Sequence, residues 1–262
     1  MTAVVHRHGP AIESGTTALV LLHGFPFDAR MWSGVVAELG HVPVLTVDLP
    51  GFGAASKSAE PEGATLESFA DATAGAVRGA GVDRAVVAGL SMGGYVLMAL
   101  AQRHRDLLAA VALLDTKAEA DTPEAAAGRL AVARQVLEEE SVAAVAGMAD
   151  TVLGSTTTAQ RSDVVAQVRA WLAEVSPRAV AAGQRAMAMR PDRLHVLESL
   201  GGPALVLYGS QDTVTGAKEH EQMAAALGTE AVVVDGAGHL SAVEAPEQVA
   251  RSLAHLHAGV NG

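Results

Sequence analysis

The chain has 262 residues, half of them hydrophobic but only 3% aromatic, with a formal net charge of −11 and no cysteine. Disulfides, thiolate catalysis and Cys-ligated metal centres are thereby excluded. No Lys/Arg run supplies the clustered cations that a nucleic acid or an anionic membrane surface needs, so neither is an expected partner.

The length fits one domain carrying a sizeable insertion. With so few aromatics, Ala, Val and Leu have to fill the core by close interdigitation. Residues 1–15 hold no apolar run behind their basic residues, so no signal peptide is expected, and every apolar stretch is too short to span a bilayer. A cytoplasmic protein is the resulting expectation.

Strand-length apolar runs occur at 18–22, 42–47, 85–88, 111–114, 204–208 and 231–234. They do not alternate with polar residues, which is the pattern of strands buried on both faces of a parallel sheet. Helix-period segments lie between them, at 29–39, 66–80, 93–103, 219–227 and 246–256. Such alternation predicts an α/β fold. From 115 to 203 the alternation stops, and helical stretches follow at 123–140, 141–148, 159–174 and 177–189. Asp121-Thr122-Pro123 and Ser176-Pro177 have the form of helix starts, with Pro in the first turn. The chain thus divides into a core of 1–115 and 204–262 and a helical insertion of 116–203, a natural cap over the ligand edge of a sheet.

Four strand ends carry candidate chemistry. The run 85–88 leads into Gly89-Leu90-Ser91-Met92-Gly93 and then a helix. A sharp turn of this kind holds a serine backbone under strain and its hydroxyl exposed, with glycine where a Cβ would collide. The helix N-terminus beyond adds positive potential where negative charge develops. After 18–22 comes His23-Gly24-Phe25-Pro26, a turn able to aim the Phe25 amide at a carbonyl oxygen; with the Met92 amide it makes a two-donor oxyanion hole. His23 itself is expected to hold this loop by hydrogen bonds.

After 231–234 comes Asp235-Gly236-Ala237-Gly238-His239, a tight loop presenting an imidazole suited to taking and returning a proton near neutrality. After 204–208 comes Gly209-Ser210-Gln211-Asp212. A carboxylate at 212 fixes the tautomer of His239 and stabilises its imidazolium. Asp115 is the rival acid, because it too ends a strand beside that of the nucleophile. Asp235 is expected to turn away or to support its own loop. The other histidines lack a glycine loop at a strand end, and His220-Glu221 does not continue as a zinc-protease helix motif.

The order Ser91, Asp212, His239 is that of the α/β-hydrolase triad. The chain resembles the α/β-hydrolase superfamily over nearly its whole length. His23-Gly24-Phe25-Pro26 is similar to its oxyanion loop, Asp48-Leu-Pro-Gly51-Phe-Gly53-Ala-Ala-Ser56 to its site-shaping strand-end loop, Gly89 to Gly94 to its nucleophile elbow, and Gly236-Ala237-Gly238-His239 to its histidine loop. Within the superfamily it is similar to small bacterial esterases, enol-lactonases and cofactor-free perhydrolases. The resemblance implies a mostly parallel eight-stranded sheet, an N-terminal strand pair at 2–6 and 11–14, a helical cap after strand six, and no metal or organic cofactor.

A small ester or lactone is the implied substrate, cleaved through an acyl-enzyme on Ser91. Cleavage of a carbon–carbon bond, or perhydrolysis, can use the same three residues. Haloalkane dehalogenases and epoxide hydrolases of this fold carry Asp where this chain has Ser91. A dinucleotide loop at Gly51-Phe-Gly53-Ala-Ala-Ser56 has Ser at the third glycine place. A non-catalytic ligand receptor remains the alternative of another class. Met148, Val152, Trp171 and Met187 in the insertion are candidates to line an apolar substrate pocket or to pack its helices together.

Overall fold

The computed structural model describes residues 1–13, 15–58 and 60–261. Seven strands form one sheet: β1 (Val4–His8), β2 (Ala18–Leu22), β3 (Val44–Asp48), β4 (Ala85–Leu90), β5 (Leu108–Leu114), β6 (Ala204–Gly209) and β7 (Ala231–Val234). Their order is β1-β3-β2-β4-β5-β6-β7, antiparallel only between β1 and β3. The central strands β2, β3 and β4 are buried at every residue. Two apolar layers, one on each face, explain their unbroken hydrophobic runs.

The expected eight strands are therefore seven among the described residues. The strand expected at 2–6 forms as β1. The one expected at 11–14 does not form over 11–13, and Ser14 lies outside the described residues. The reason is local. Gly9 turns the chain in the left-handed region, at φ 72°, where a Cβ would collide with the carbonyl of Val42. Pro10 follows, and a turn from Glu13 O to Thr16 N bends the segment away from any ladder. The helical segment expected after strand six accordingly follows β5, the fifth of seven.

The helices of the core are α1 (Ser33–Glu38), α2 (Leu66–Gly79) and α3 (Met92–Arg103), and later α11 to α13. Between β5 and β6 the chain is helical throughout: α4 (Pro123–Glu138), α5 (Ala143–Ala146), α6 (Ala149–Val152), α7 (Ser155–Gln160), α8 (Ser162–Glu174), α9 (Pro177–Ala188) and α10 (Leu194–Glu198). The remaining three are α11 (Ala217–Leu227), α12 (Ser241–Glu244) and α13 (Pro246–Asn261). Thr122 and Ser176 cap α4 and α9 through their hydroxyls, with Pro at the first position of each. The single helix expected at 159–174 is broken at Arg161, whose φ of −128° and ψ of 70° are not helical. The one expected at 29–39 is a 3-10 turn, Ala29–Trp32, running into α1.

The inserted helices are fastened to the core by a buried cation. The Arg190 guanidinium donates to Asp121 at 2.8 Å and to the Met187 carbonyl at 3.0 Å, and lies 4.3 Å above the ring of Tyr95 in α3. Gly183 of α9 backs onto Phe25, where an added Cβ would stand 2.7 Å from the ring. The insertion thus packs on the loop that follows β2. Among the described residues no helix is long and apolar enough to cross a membrane.

Candidate active site

All four strand-end loops singled out in the sequence lie at the carboxyl edge of the parallel strands, β2, β4, β6 and β7. In an open α/β sheet this is the edge where ligands bind. Ser91 ends β4 with φ 54° and ψ −114°, a strained conformation for a residue with a side chain. Several hydrogen bonds hold it there. Its amide donates to Leu114 O at 2.9 Å, and its carbonyl accepts from Gly94 N at 2.9 Å and from Thr116 Oγ1 at 2.8 Å. The two glycines of the turn are sterically required: a Cβ at 89 would collide with the backbone of Gly93, and one at 93 with the carbonyl of Leu22.

Three side chains from distant parts of the chain meet at this turn. Ser91 Oγ lies 2.9 Å from His239 Nε2, and His239 Nδ1 lies 2.8 Å from Asp212 Oδ2. The far ring nitrogen faces a carboxylate, so the proton resides on Nδ1 and Nε2 is left to accept from the hydroxyl. Asp212 also accepts from Val214 N at 2.7 Å, Thr215 N at 3.0 Å and Thr215 Oγ1 at 2.8 Å. Burial pushes the Asp212 carboxyl up, but the hydrogen bond and charge of His239 and the bonds from Thr215 outweigh it. The group is held below the usual carboxylate range.

The loop after β2 packs directly against this turn. A Cβ at Gly24 would stand 3.5 Å from that of Ser91. Among the described residues, the amides of Phe25 and of Met92, the first residue of α3, take no part in a hydrogen bond. His23 is wholly buried with both ring nitrogens engaged, accepting from Leu49 N and donating to Gly24 O, each at 3.0 Å. It ties the loop after β2 to that after β3, and burial holds its imidazole below the usual value. The latter loop is held by Asp48, which accepts from Ala29 N and Ala54 N, each at 2.8 Å, and faces His6 Nε2 at 2.9 Å.

Asp115 is fully buried, also in the left-handed region at φ 45°, and its hydrogen bonds go to Gly209 and Ser241. Its Oδ1 accepts from Gly209 N at 3.0 Å, and its Oδ2 from Ser241 Oγ at 2.5 Å and Ser241 N at 3.2 Å. Burial pushes this carboxyl up to about 7; Asp212 pushes the same way, while His239 and the bonds from Ser241 and Gly209 oppose it. Asp235 lies 3.4 Å from Ser210 Oγ, joining the histidine loop to the β6 loop.

Sequence reasoning missed Thr215 and Glu244. Glu244 is buried, and its carboxylate gathers the amides of Gly154, Gly238 and Leu240. The signal was an acidic residue in a run of otherwise uncharged, mostly apolar residues, 240–245, directly after a glycine loop.

A cavity of about 810 Å³ opens beside Pro26, Phe27, Phe52 and Trp171, and neither Ser91 nor His239 lines it. Of the four candidate pocket residues only Trp171 does so, edge-on to Phe27 at 6.2 Å. Val152 is buried among the apolar residues on one face of the sheet, and Met148 touches both apolar layers. Met187 is buried with its sulfur 3.7 Å from Arg129. Among the described residues no group of three or more His, Asp or Glu is arranged to hold a metal ion.

Two outcomes follow from this geometry. Gly93→Ala forces a Cβ into the Leu22 carbonyl and should destabilise the fold by about 1–3 kcal/mol in urea unfolding, the range for overpacking; an unchanged midpoint would contradict the close approach. The stability that Asp115 contributes is tied to a folded-state pKa of about 7, above the ordinary 3.8. It is therefore fully present below the unfolded value and lost as pH rises through the folded one. The melting temperature of wild type relative to Asp115→Asn should fall between about pH 4 and about pH 7. A difference that is constant or rises would show that the carboxyl is not held protonated.

A profile of the alpha/beta hydrolase family matches residues 19–252. Across 257 aligned residues the chain is 28% identical to a pimeloyl-[acyl-carrier protein] methyl ester esterase of Neisseria meningitidis, covering 89% of this chain and 90% of that one. A thermophilic esterase from Thermogutta terrifontis superposes with a TM-score of 0.92 at 35% identity, over 99% of this chain and 94% of that chain. The enol-lactonase from Burkholderia xenovorans LB400 superposes with a TM-score of 0.85 at 26% identity, over 97% of this chain and 95% of that chain. With its sheet order, the strained turn at Ser91 and these matches, the chain belongs to the alpha/beta hydrolase family.

Proposed function

We propose that this protein is a serine hydrolase that cleaves the carboxylic ester or lactone bond of a small, largely apolar molecule through an acyl-enzyme. The observation that carries this reading is the unbroken hydrogen-bond chain from Ser91 Oγ through His239 to Asp212, at 2.9 and 2.8 Å. It stands beside two unengaged amides. The esterase and enol-lactonase relatives support the bond class, and residues 116–203 serve as the cap that covers the site.

His239 Nε2 takes the Ser91 proton as Oγ bonds to the substrate carbonyl carbon. The carbonyl oxygen becomes an oxyanion, which the Phe25 and Met92 amides and the N-terminus of α3 stabilise. His239 then gives its proton to the departing alkoxide, which leaves as the alcohol, or as the ring-opened hydroxyl of a lactone. Water, deprotonated by His239, releases the acid and restores Ser91. Asp212, kept ionised by His239 itself and by the hydrogen bonds from Thr215, stabilises the imidazolium at each stage without itself taking the proton.

A fluorophosphonate probe should label wild type at Ser91 and leave Ser91→Ala unlabelled, and this variant should keep its fold while losing turnover. Labelling elsewhere, or none, would favour a non-catalytic receptor. Asp212→Asn should lower kcat by a factor on the order of 10⁴, as for triad acids in proteases; a mild Asp212→Asn beside a damaging Asp115→Asn would reassign the acid. Among p-nitrophenyl acetate, butyrate and octanoate, the shorter two should be preferred; octanoate as best substrate would contradict a small acyl pocket.

A further inference from the structure

The backbone around His239 is held from one side by a single buried side chain. Glu244 Oε1 accepts from Gly238 N at 2.9 Å and from Leu240 N at 3.3 Å, the amides of the residues flanking the histidine. Its other oxygen accepts from Gly154 N at 2.8 Å, where α6 gives way to α7 in the inserted segment. The two segments touch backbone to backbone. A Cβ at Gly154 would stand 2.8 Å from Gly238 N, and one at Gly238 would collide with Gly154 N.

The same stretch of the insertion is tied to Asp212's loop. Gln211 accepts from Ser155 Oγ at 3.0 Å and Thr156 N at 2.9 Å, donates to Thr156 Oγ1 at 2.7 Å, and bonds through its own amide to Ala237 O at 2.8 Å. Arg161, at the break between α7 and α8, donates to the Glu244 carbonyl at 2.8 Å. Residues 154–161 therefore brace the loops of both the imidazole and its acid, and the Glu244 carboxylate is the joint.

We propose that Glu244 is a positioning residue: it fixes the amides of the two residues that flank His239 and couples them to the inserted helices through Gly154. The assignment rests on the hydrolase reading above. Glu244 touches no reacting atom. Its effect is on where Nε2 stands relative to Ser91 Oγ, a distance on which transfer of the proton depends steeply.

Glu244→Gln separates the two halves of the joint. One amide oxygen can still receive Gly238 and Leu240, but the NH₂ group then opposes the N–H of Gly154, donor against donor. Glu244→Ala removes both halves, and Gly154→Ala displaces the insertion while leaving the carboxylate intact. With p-nitrophenyl butyrate, kcat should fall about tenfold in Glu244→Gln and Gly154→Ala and about a hundredfold in Glu244→Ala, with KM within about threefold. The low-field proton resonance of the His239–Asp212 hydrogen bond should shift or broaden in all three, although melting shows each folded.

Unchanged kcat and an unchanged resonance in folded Glu244→Gln would overturn the proposal, as would a loss of melting temperature with kcat preserved. Should Glu244→Ala fail to fold, the Gln and Gly154→Ala variants decide the matter by the same readings. A wild-type protein that turns over no ester would contradict the hydrolase reading instead, and the proton resonance, which needs no substrate, would still test the Glu244 assignment.

Discussion

A serine held in the left-handed region at the end of a buried strand is the constraint on which the rest of the site depends. At φ 54° the Ser91 backbone swings its hydroxyl out of the sheet plane and turns the chain into α3 within one residue. Such a backbone is costly and persists only when its surroundings over-determine it. Here they do: the ladder from β5 grips its amide, Thr116 and Gly94 grip its carbonyl, and two glycines let β2 and α3 close in to backbone contact. The parallel sheet supplies what no short peptide could, four strand ends in register that bring residues 25, 91, 212 and 239 to one edge.

Buried carboxyl groups help to hold the loops at that edge. Asp48 gathers the amides of Ala29 and Ala54, Asp115 those of Gly209 and Ser241, Glu244 those of Gly154, Gly238 and Leu240, and Asp212 those of Val214 and Thr215. A buried carboxyl group among backbone N–H groups satisfies several donors at once and ties together segments far apart in the chain. Only the fourth of these carboxylates faces a ring nitrogen of His239. Asp115 and Asp212 thus end neighbouring strands with different partners: one fastens the loop after His239, the other bonds the imidazole.

Strand positions were legible because burial on both faces removes polar alternation, and the elbow was legible because steric need puts glycine at 89 and 93. The meeting of Ser91 and His239 could be anticipated from motif order, whereas Asp212 and Asp115 both stood at strand ends and differ only in their hydrogen-bond partners. The breaks in the inserted helices could not be anticipated. Arg161 interrupts the helix where its side chain bonds the Glu244 carbonyl, 83 positions away, and nothing in local propensity marks that contact. The bond from Gly154 to Glu244 spans 90 positions, so the one acid in the run 240–245 carries no sign of its partner. The missing strand at 11–13 had the opposite cause: the Gly9-Pro10 turn was in plain view, and the expectation drawn from the fold's usual strand count overrode it.

The central claim is that the Ser91 oxygen forms a covalent bond to the substrate's acyl carbon. Acid quenching within the first turnover on an activated ester, followed by mass measurement of the intact chain and of its peptides, observes that bond directly. The account predicts a mass increase equal to the acyl group less one hydrogen, confined to the peptide bearing residue 91. Turnover with no adduct under those conditions, or an adduct on another side chain, would contradict it.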